Sequence, residues 1–424
     1  MPAAIGTAVL AVLGPIGTGL TAAGVTAAQV GGFVLTAAAV GAQLLFRPRV
    51  PRAPQPDDLK NTSESEEGPG RFAFGRVRVG AKVVFGKTRE YEIFQLLAHY
   101  HGPTAGIEEW FYDGRVIIVS ETGKVASPPF AKFRDNSFIT LEHKPGDGTE
   151  TSYLALRQAF TGQWTTAHRL RGIAQTLAIF ENPGQASPKF TRLYNGGIKQ
   201  LERVERAGEF FDPRDGETRW TMNSALICLH YRRLRPGVTL ADFDLDDIAV
   251  TADACDALVN TRNGPEPRSQ LTGGGEGQIT IEMLADMYRS AGLEERRTAE
   301  GKITFRLIED NPSAEIAFTD RRIIDRVLTK GPEGVQRPNV CRVKYFSPER
   351  QYTVAEIPLQ TFDGPGATYD GPAWARVEDE IAAYGEHETT VELPFCPSAA
   401  QAQRIARRQF HEERAAGGAI LTTF

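Results

Sequence analysis

Seven histidines are scattered through the chain, and only His99 and His101 stand close together. At i and i+2 of a strand they would share one face, a spacing that suits a metal ion, yet no acidic or cysteine partner lies near them. His411-Glu412-Glu413 opens like the helix of a zinc protease, but Ala415 takes the place of the second histidine ligand. Gly273–Gly277 (GGGEG) has neither a following Gly-Lys-Ser/Thr nor a leading apolar strand, so it does not read as a phosphate loop. No G-x-S-x-G nucleophile motif occurs. Asp244/Asp246/Asp247 and Glu378/Asp379/Glu380 lie near expected helix ends, where solvated acids belong. Two carboxylates of a cell-wall hydrolase can come from anywhere in a chain, and nothing here selects a pair. The turn Asp212-Pro213-Arg214-Asp215-Gly216 sets two aspartates around an arginine, but proline, aspartate and glycine build turns without any catalytic purpose. The expectation is a protein that is not an enzyme and takes no cofactor or metal.

The elements that hold these residues point to an α+β chain, mostly antiparallel β. Its 424 residues allow two to four domains; a net charge of −5 with 24% charged residues is ordinary and argues against a nucleic-acid coat. Cys228, Cys255, Cys341 and Cys396 form no C-x-x-C pair and read as buried small side chains or free thiols. From Arg71 to Val119 the pattern is nearly all β. Val77, Val79, Val83 and Phe85 alternate, with Gly80-Ala81 allowing a tight turn between the two runs. Tyr91–Tyr100 and Ile107–Tyr112 follow, and Asp113-Gly114 is a hairpin signal before Val116–Val119. Trp110 is expected inside this domain.

Residues 1–46 stand apart. No charged side chain precedes Arg47, and the segment holds eight Gly and twelve Ala. At about 1.5 Å per residue, two helices of roughly 20 residues could form an apolar hairpin, its contacts made by Val12, Leu13, Phe33, Leu35, Leu44, Leu45 and Phe46. Three readings stay open: a membrane anchor, a hairpin buried in a protein lumen, or a stowed segment that enters a host membrane. Residues 47–70, proline-rich and then acidic, read as a linker or extended arm.

Farther along, Phe138–Glu142 reads as a strand and Ser152–Phe160 as a helix. Asn223 or Ser224 should cap a helix over Ala225–Arg233, ahead of a second helix over Leu245–Val259. Thr261–Gly277 reads as a flexible break. Thr280–Ser290 is an amphipathic helix ended by Gly292, and Ile303–Ile308 a strand. A helix is expected over Asp320–Leu328, a strand pair over Val340–Phe346 and Thr353–Ile357, and a long helix over Ser398–Arg414. The expected domains are 71–165, 166–260, 278–337 and 338–424, with 261–277 as a linker.

Several stretches carry a resemblance, in order and over about 71–424. FGRVRVGAKVVF and LLAHYHGPTAGIEEWFYDGRVI come first, with Gly102, Gly106, Ile107, Glu108, Trp110, Asp113 and Gly114 at the matching positions. HRLRGIA, FFDPRDGETRWTMNSALICLHYRR (with Asp212, Pro213, Gly216 and Trp220) and DLDDIAVTADACDALV follow. NVCRVKYFSPERQYTVAEIPL and GEHETTVELPFCPSAAQAQRIARRQF close the set. The chain thereby resembles the tail-tip hub proteins of long-tailed bacteriophages, the lambda-type tip attachment or host-specificity family, in a short form without the C-terminal fibre region. The resemblance implies a virion protein at the distal tail tip, assembled in the host cytoplasm. It implies a multidomain architecture of β-barrel-like tube domains and small α/β domains, with 71–165 and about 338–424 as the tube units. It further implies a homotrimer that contacts other tail-tip proteins, the tape-measure protein, a fibre or spike on a separate chain, and viral DNA. A second function class, a membrane-anchored envelope protein with a β-rich surface domain, is kept beside it.

Overall fold

The computed structural model describes residues 69–308, 337–357 and 374–414, except 135, 185–186, 195–196 and 262–263, and the backbone of 63–64, 325–330, 415 and 418–423. Its central strand is β2 (Arg71–Val79), whose residues are buried on both faces. The first half of β2 pairs antiparallel with β14 (Gly273–Glu276), from Arg71↔Glu276 to Phe74↔Gly273. The second half pairs antiparallel with β9 (Leu201–Ala207), from Gly75↔Ala207 to Val79↔Arg203. The change of partner falls at Gly75, whose φ of +72° suits glycine; a Cβ there would lie 2.6 Å from the Leu271 carbonyl oxygen.

Around β2 the chain builds a curled half-barrel. β3 (Lys82–Arg89) pairs with β4 (Glu92–His101), β4 with β8 (Ile173–Glu181), and β8 with β7 (Ile139–Lys144), all antiparallel. β9 carries β5 (Thr104–Tyr112), which turns back into β6 (Arg115–Ile117). The two groups meet at a single parallel pair, Phe72↔His101, and a two-residue β1 (Ser63–Glu64) lies on β3. β2 and β3 are therefore not a hairpin, contrary to the expectation for Gly80-Ala81. The chain instead crosses there from one half of the sheet to the other, with Ala81 fully buried. Because β8 and β9 lie inside the sheet begun by β2, a boundary at 165/166 would cut through it.

Leu97, Tyr112, Phe180, Tyr194 and Leu201 fill the concave interior. Tyr194 comes from α2 (Pro188–Tyr194). On the convex side Phe94, Leu96 and Leu177 pack against α1 (Leu154–Ala159). Phe72 and Phe74 reach into a separate helical core made by α3 (Ser224–Arg233), α4 (Leu245–Asp256) and α5 (Ile281–Ala291) with the hairpin of β15 (Leu293–Arg297) and β16 (Ile303–Leu307). Asn223 caps α3 by accepting from the Ala225 and Leu226 amides, and Gly292 ends α5 at φ 68°. α4 stops at Asp256, short of Val259, because the chain extends into β12 (Leu258–Thr261) paired with β13 (Gly264–Pro267). With β13 and β14 in it, the 261–277 stretch is a set of paired strands and not a flexible break.

The C-terminal part is a mixed sheet, not a barrel-like one. β18 (Val340–Ser347) lies between antiparallel β19 (Thr353–Glu356) and parallel β20 (Glu388–Leu393). α6 (Glu378–Tyr384) and α7 (Ala399–Ala415) complete it, with Ala402, Ile405 and Phe410 packed on Val343 and Leu393. Phe346 and Tyr352 join Val77, Val79 and Val204 in one cluster, so this sheet is packed onto the half-barrel. β17 (Asp325–Lys330) pairs antiparallel with β21 (Gly418–Thr423), which replaces the helix expected through Leu328; a run with Val327 and Thr329 serves a strand equally well. Residues 320–324 lie outside the described residues. So do residues 1–46 and their contact candidates. Among the described residues no helix is long and apolar enough to cross a membrane.

Candidate functional site

The Asp113-Gly114 turn is a two-residue hairpin with both residues at positive φ, 52° and 72°, the geometry such loops favour. Trp110, two residues before it on β5, is half-buried and not fully inside as expected. The register of β5 against β9 shifts between Thr104/Gly106 and between Ile107/Glu109 and is regular from there to Tyr112, where both faces are covered: Trp110 and Tyr112 pack in one core and Phe111 in another. The indole lies 5.7 Å from the Arg203 guanidinium carbon.

The Asp212–Gly216 turn joins β10 (Phe210–Phe211) to β11 (Thr218–Arg219). Asp212 is buried and accepts from Arg214 Nε (2.9 Å), Arg214 Nη2 (2.7 Å) and Arg219 Nη2 (2.8 Å). Burial pushes its pKa up, but these cations outweigh that and hold it below the usual carboxylate range. Arg214 also donates to Asp253 and Asp256 at 2.9 Å each, so the turn is fastened to the end of α4. Pro213 and Gly216 shape the loop, with the Gly216 amide donating to the Asp212 carbonyl at 2.9 Å. Trp220 Nε1 donates to the Gly75 carbonyl at 3.4 Å, and the ring sits 5.6 Å from Arg206. The arrangement is a clamp between the hairpin, α4 and β2, with no feature of a catalytic site. Arg214→Ala should lower stability by about 1–2 kcal/mol, because it strips hydrogen bonds from a buried carboxylate. Asp215→Ala, which touches only Arg219 and the turn, should leave the melting temperature unchanged. Equal shifts for the two variants in thermal unfolding would remove the clamp.

His99 and His101 do not share a face. His99 is the extra residue where the register of β4 against β8 shifts, so His99 is buried and His101 exposed. Among the described residues no three His, Cys, Asp or Glu side chains form a group that could hold a metal ion. All four cysteines are buried and free. His99 belongs instead to a polar bridge across the half-barrel that sequence reasoning missed. Arg203 and Glu205, both fully buried on β9, form an ion pair at 2.9 Å. Arg203 Nη1 donates to His143 Nδ1 on β7 (2.7 Å) and to the Thr176 hydroxyl on β8 (2.9 Å). The Thr176 hydroxyl faces His99 Nε2 at 3.1 Å, while His99 Nδ1 donates to the Gly80 carbonyl at 2.8 Å. This relay needs both imidazoles neutral. Burial and the Arg203 charge push His99 well below its ordinary pKa and His143 down to about 3. Burial raises Glu205 against the pull of Arg203. The bridge ties four strands from both halves of the sheet. Its chemistry is cohesion, since Arg203, Glu205, Thr176 and His99 are all buried away from solvent.

The contacts at these residues fasten elements of the fold to one another. A family model described as "Putative phage tail protein" matches residues 278–420. One solved chain, from "Virion of native gene transfer agent (GTA) particle", shares the fold with a TM-score of 0.50 at 16% identity, over 87% of this chain and 77% of that chain. No curated protein matches.

Proposed function

We propose that this chain is a structural protein of a phage virion, and within it a subunit of the distal tail hub. It acts there as a homotrimer that closes the tail tube and meets other tail-tip proteins and the tape-measure protein. It docks a receptor-binding fibre or central spike carried on a separate chain and opens for the passage of DNA. The observation that carries this reading is the open, curled sheet. Beyond the two-residue β1, no strand among the described residues covers the outer edge of β3, and Val84 on that edge and Tyr91 beside it are exposed. A half-barrel with an uncovered edge is completed by neighbouring subunits more readily than it is left alone in water. The phage tail match over 278–420 and the virion chain of the same fold support the same reading. In it, Trp110, the Asp113-Gly114 turn and the Asp212–Trp220 hairpin keep the subunit rigid during assembly. Residues 1–46 line the lumen or enter the host membrane. Purified particles imaged or weighed intact should contain three copies at the tail end. A monomer free of the tail, or a sixfold ring, would overturn the hub assignment.

A further inference from the structure

A cleft of about 460 Å³ opens between α4 and the β15–β16 hairpin, with Arg268, Arg296, Arg297 and Arg306 in its walls. A smaller cleft adjoins it, shares Arg268 and Leu307, and adds Arg404 and Arg408 from α7. Through these shared residues they form one groove that, among the described residues, is lined by six arginines and no lysine. The acid in its walls, Asp247, is engaged by the Thr304 hydroxyl at 2.5 Å. Neutral carbonyl oxygens hold much of the rest. Arg297 donates to Gly301 (2.8 Å), Arg404 to Arg268 (2.8 Å) and Arg408 to Ile308 (3.1 Å). Acids approach from the rim, with Glu412 3.6 Å from Arg408 and Glu266 4.0 Å from Arg404, and Arg306 and Arg404 each make a further contact. Glu294, paired with Arg296 at 2.8 Å, is itself half in solvent. Two polar atoms in the walls, Thr298 Oγ1 and Arg408 Nε, are buried without a hydrogen-bond partner. In a chain of net charge −5 this is a concentrated positive groove.

We infer that the groove binds an acidic protein segment that carries apolar side chains between its carboxylates. Guanidinium forks match carboxylates in two-point contacts, and arginine rather than lysine marks protein interfaces. The floor decides between a peptide and a phosphodiester chain. Leu307 and Ile308, both half-buried, lie between the arginines, and Val250 on the rim is 66% exposed. An apolar floor complements leucine-like side chains and has nothing to offer a sugar-phosphate backbone. The inference is independent of the tail-hub reading, since it concerns ligand chemistry and not copy number or location.

The test uses the full chain and three fluorescent probes read by anisotropy. They are a short peptide alternating aspartate and leucine, its aspartate–serine counterpart, and a single-stranded oligonucleotide of equal charge. The aspartate–leucine peptide should bind best and weaken about tenfold from low to physiological salt. Arg297→Glu combined with Arg268→Glu should abolish binding. Val250→Ser, a neutral rim change that touches no arginine, should weaken the aspartate–leucine peptide but not the aspartate–serine one, with the fold intact by circular dichroism, so the test does not hang on the double variant folding. Equal or tighter binding of the oligonucleotide would overturn the proposal in favour of a phosphate site. Equal binding of the aspartate–serine peptide, or aspartate–leucine binding indifferent to Val250→Ser, would overturn the apolar half of it.

Discussion

Arg203→Met should cost about 3–5 kcal/mol of unfolding free energy, the loss expected when one partner of a buried pair is removed and the other stays. Arg203 is fully buried, so the variant strands Glu205 in the interior and strips His143 and Thr176 of their donor. The double variant Arg203→Met/Glu205→Leu removes both charges together and should recover most of that loss, because two apolar side chains need no mutual compensation. Urea unfolding followed by tryptophan fluorescence gives both values, with Trp110 as a reporter 5.7 Å from the guanidinium. If the single variant is as stable as the double, the pair is not coupled and the bridge does not hold the two halves of the sheet.

Acid should weaken this protein earlier than carboxylate protonation alone would. His143 is pushed down to about 3 by burial and Arg203, and His230 to about 4 by burial and Arg233, against an unfolded value of about 6.5. Both folded values lie below the unfolded one, so the unfolded chain binds more protons as the pH falls. Stability is therefore complete above about pH 6.5 and is lost progressively as the pH drops through 6.5 toward the folded values. At pH 5 each histidine should contribute a loss of roughly 2 kcal/mol. His143→Asn keeps an acceptor for Arg203 while removing the titration. Its stability difference from the parent should shrink between pH 7.5 and pH 5 by about the contribution of one histidine. An unchanged difference across that range would mean that His143 is not held neutral by the fold.

Short-range rules made much of the fold legible. Asn223 or Ser224 and Gly292 announced helix ends, which the structure places at Asn223 and Gly292; Thr280, read as the first helical residue, is the cap before Ile281, and Asp113-Gly114 announced its hairpin. The cysteines read as buried small side chains or free thiols, and all four are buried and free. What stayed hidden depends on partners far along the chain. Gly273–Glu276 has almost no side chains to show a period, so only its pairing with Arg71–Phe74 reveals a strand. LERVERA sets its apolar residues three apart, at Leu201, Val204 and Ala207, a spacing that does not mark a strand; covering both faces of β9 is a tertiary fact, and so is the Arg203–Glu205 pair. Gly80-Ala81 has the composition of a turn, but composition does not say whether the strands on either side pair with each other. The Asp212–Gly216 turn was readable as a turn, whereas its hold on Asp253 and Asp256 was not.

The pairing of Phe72 with Gly275 spans about 200 residues, and it sets an order on synthesis. While a ribosome makes the intervening chain, the first half of β2 waits with its partner unmade and its two phenylalanines without their helical core. At roughly 5–20 residues per second that wait is on the order of 10–40 s. During it the nascent chain offers an apolar strand edge to its surroundings, including the edges of sister chains emerging from neighbouring ribosomes on the same message. Yield of the folded protein should then depend on how quickly translation passes residue 276, and slow codons between β9 and β14 would be costlier than the same codons after them.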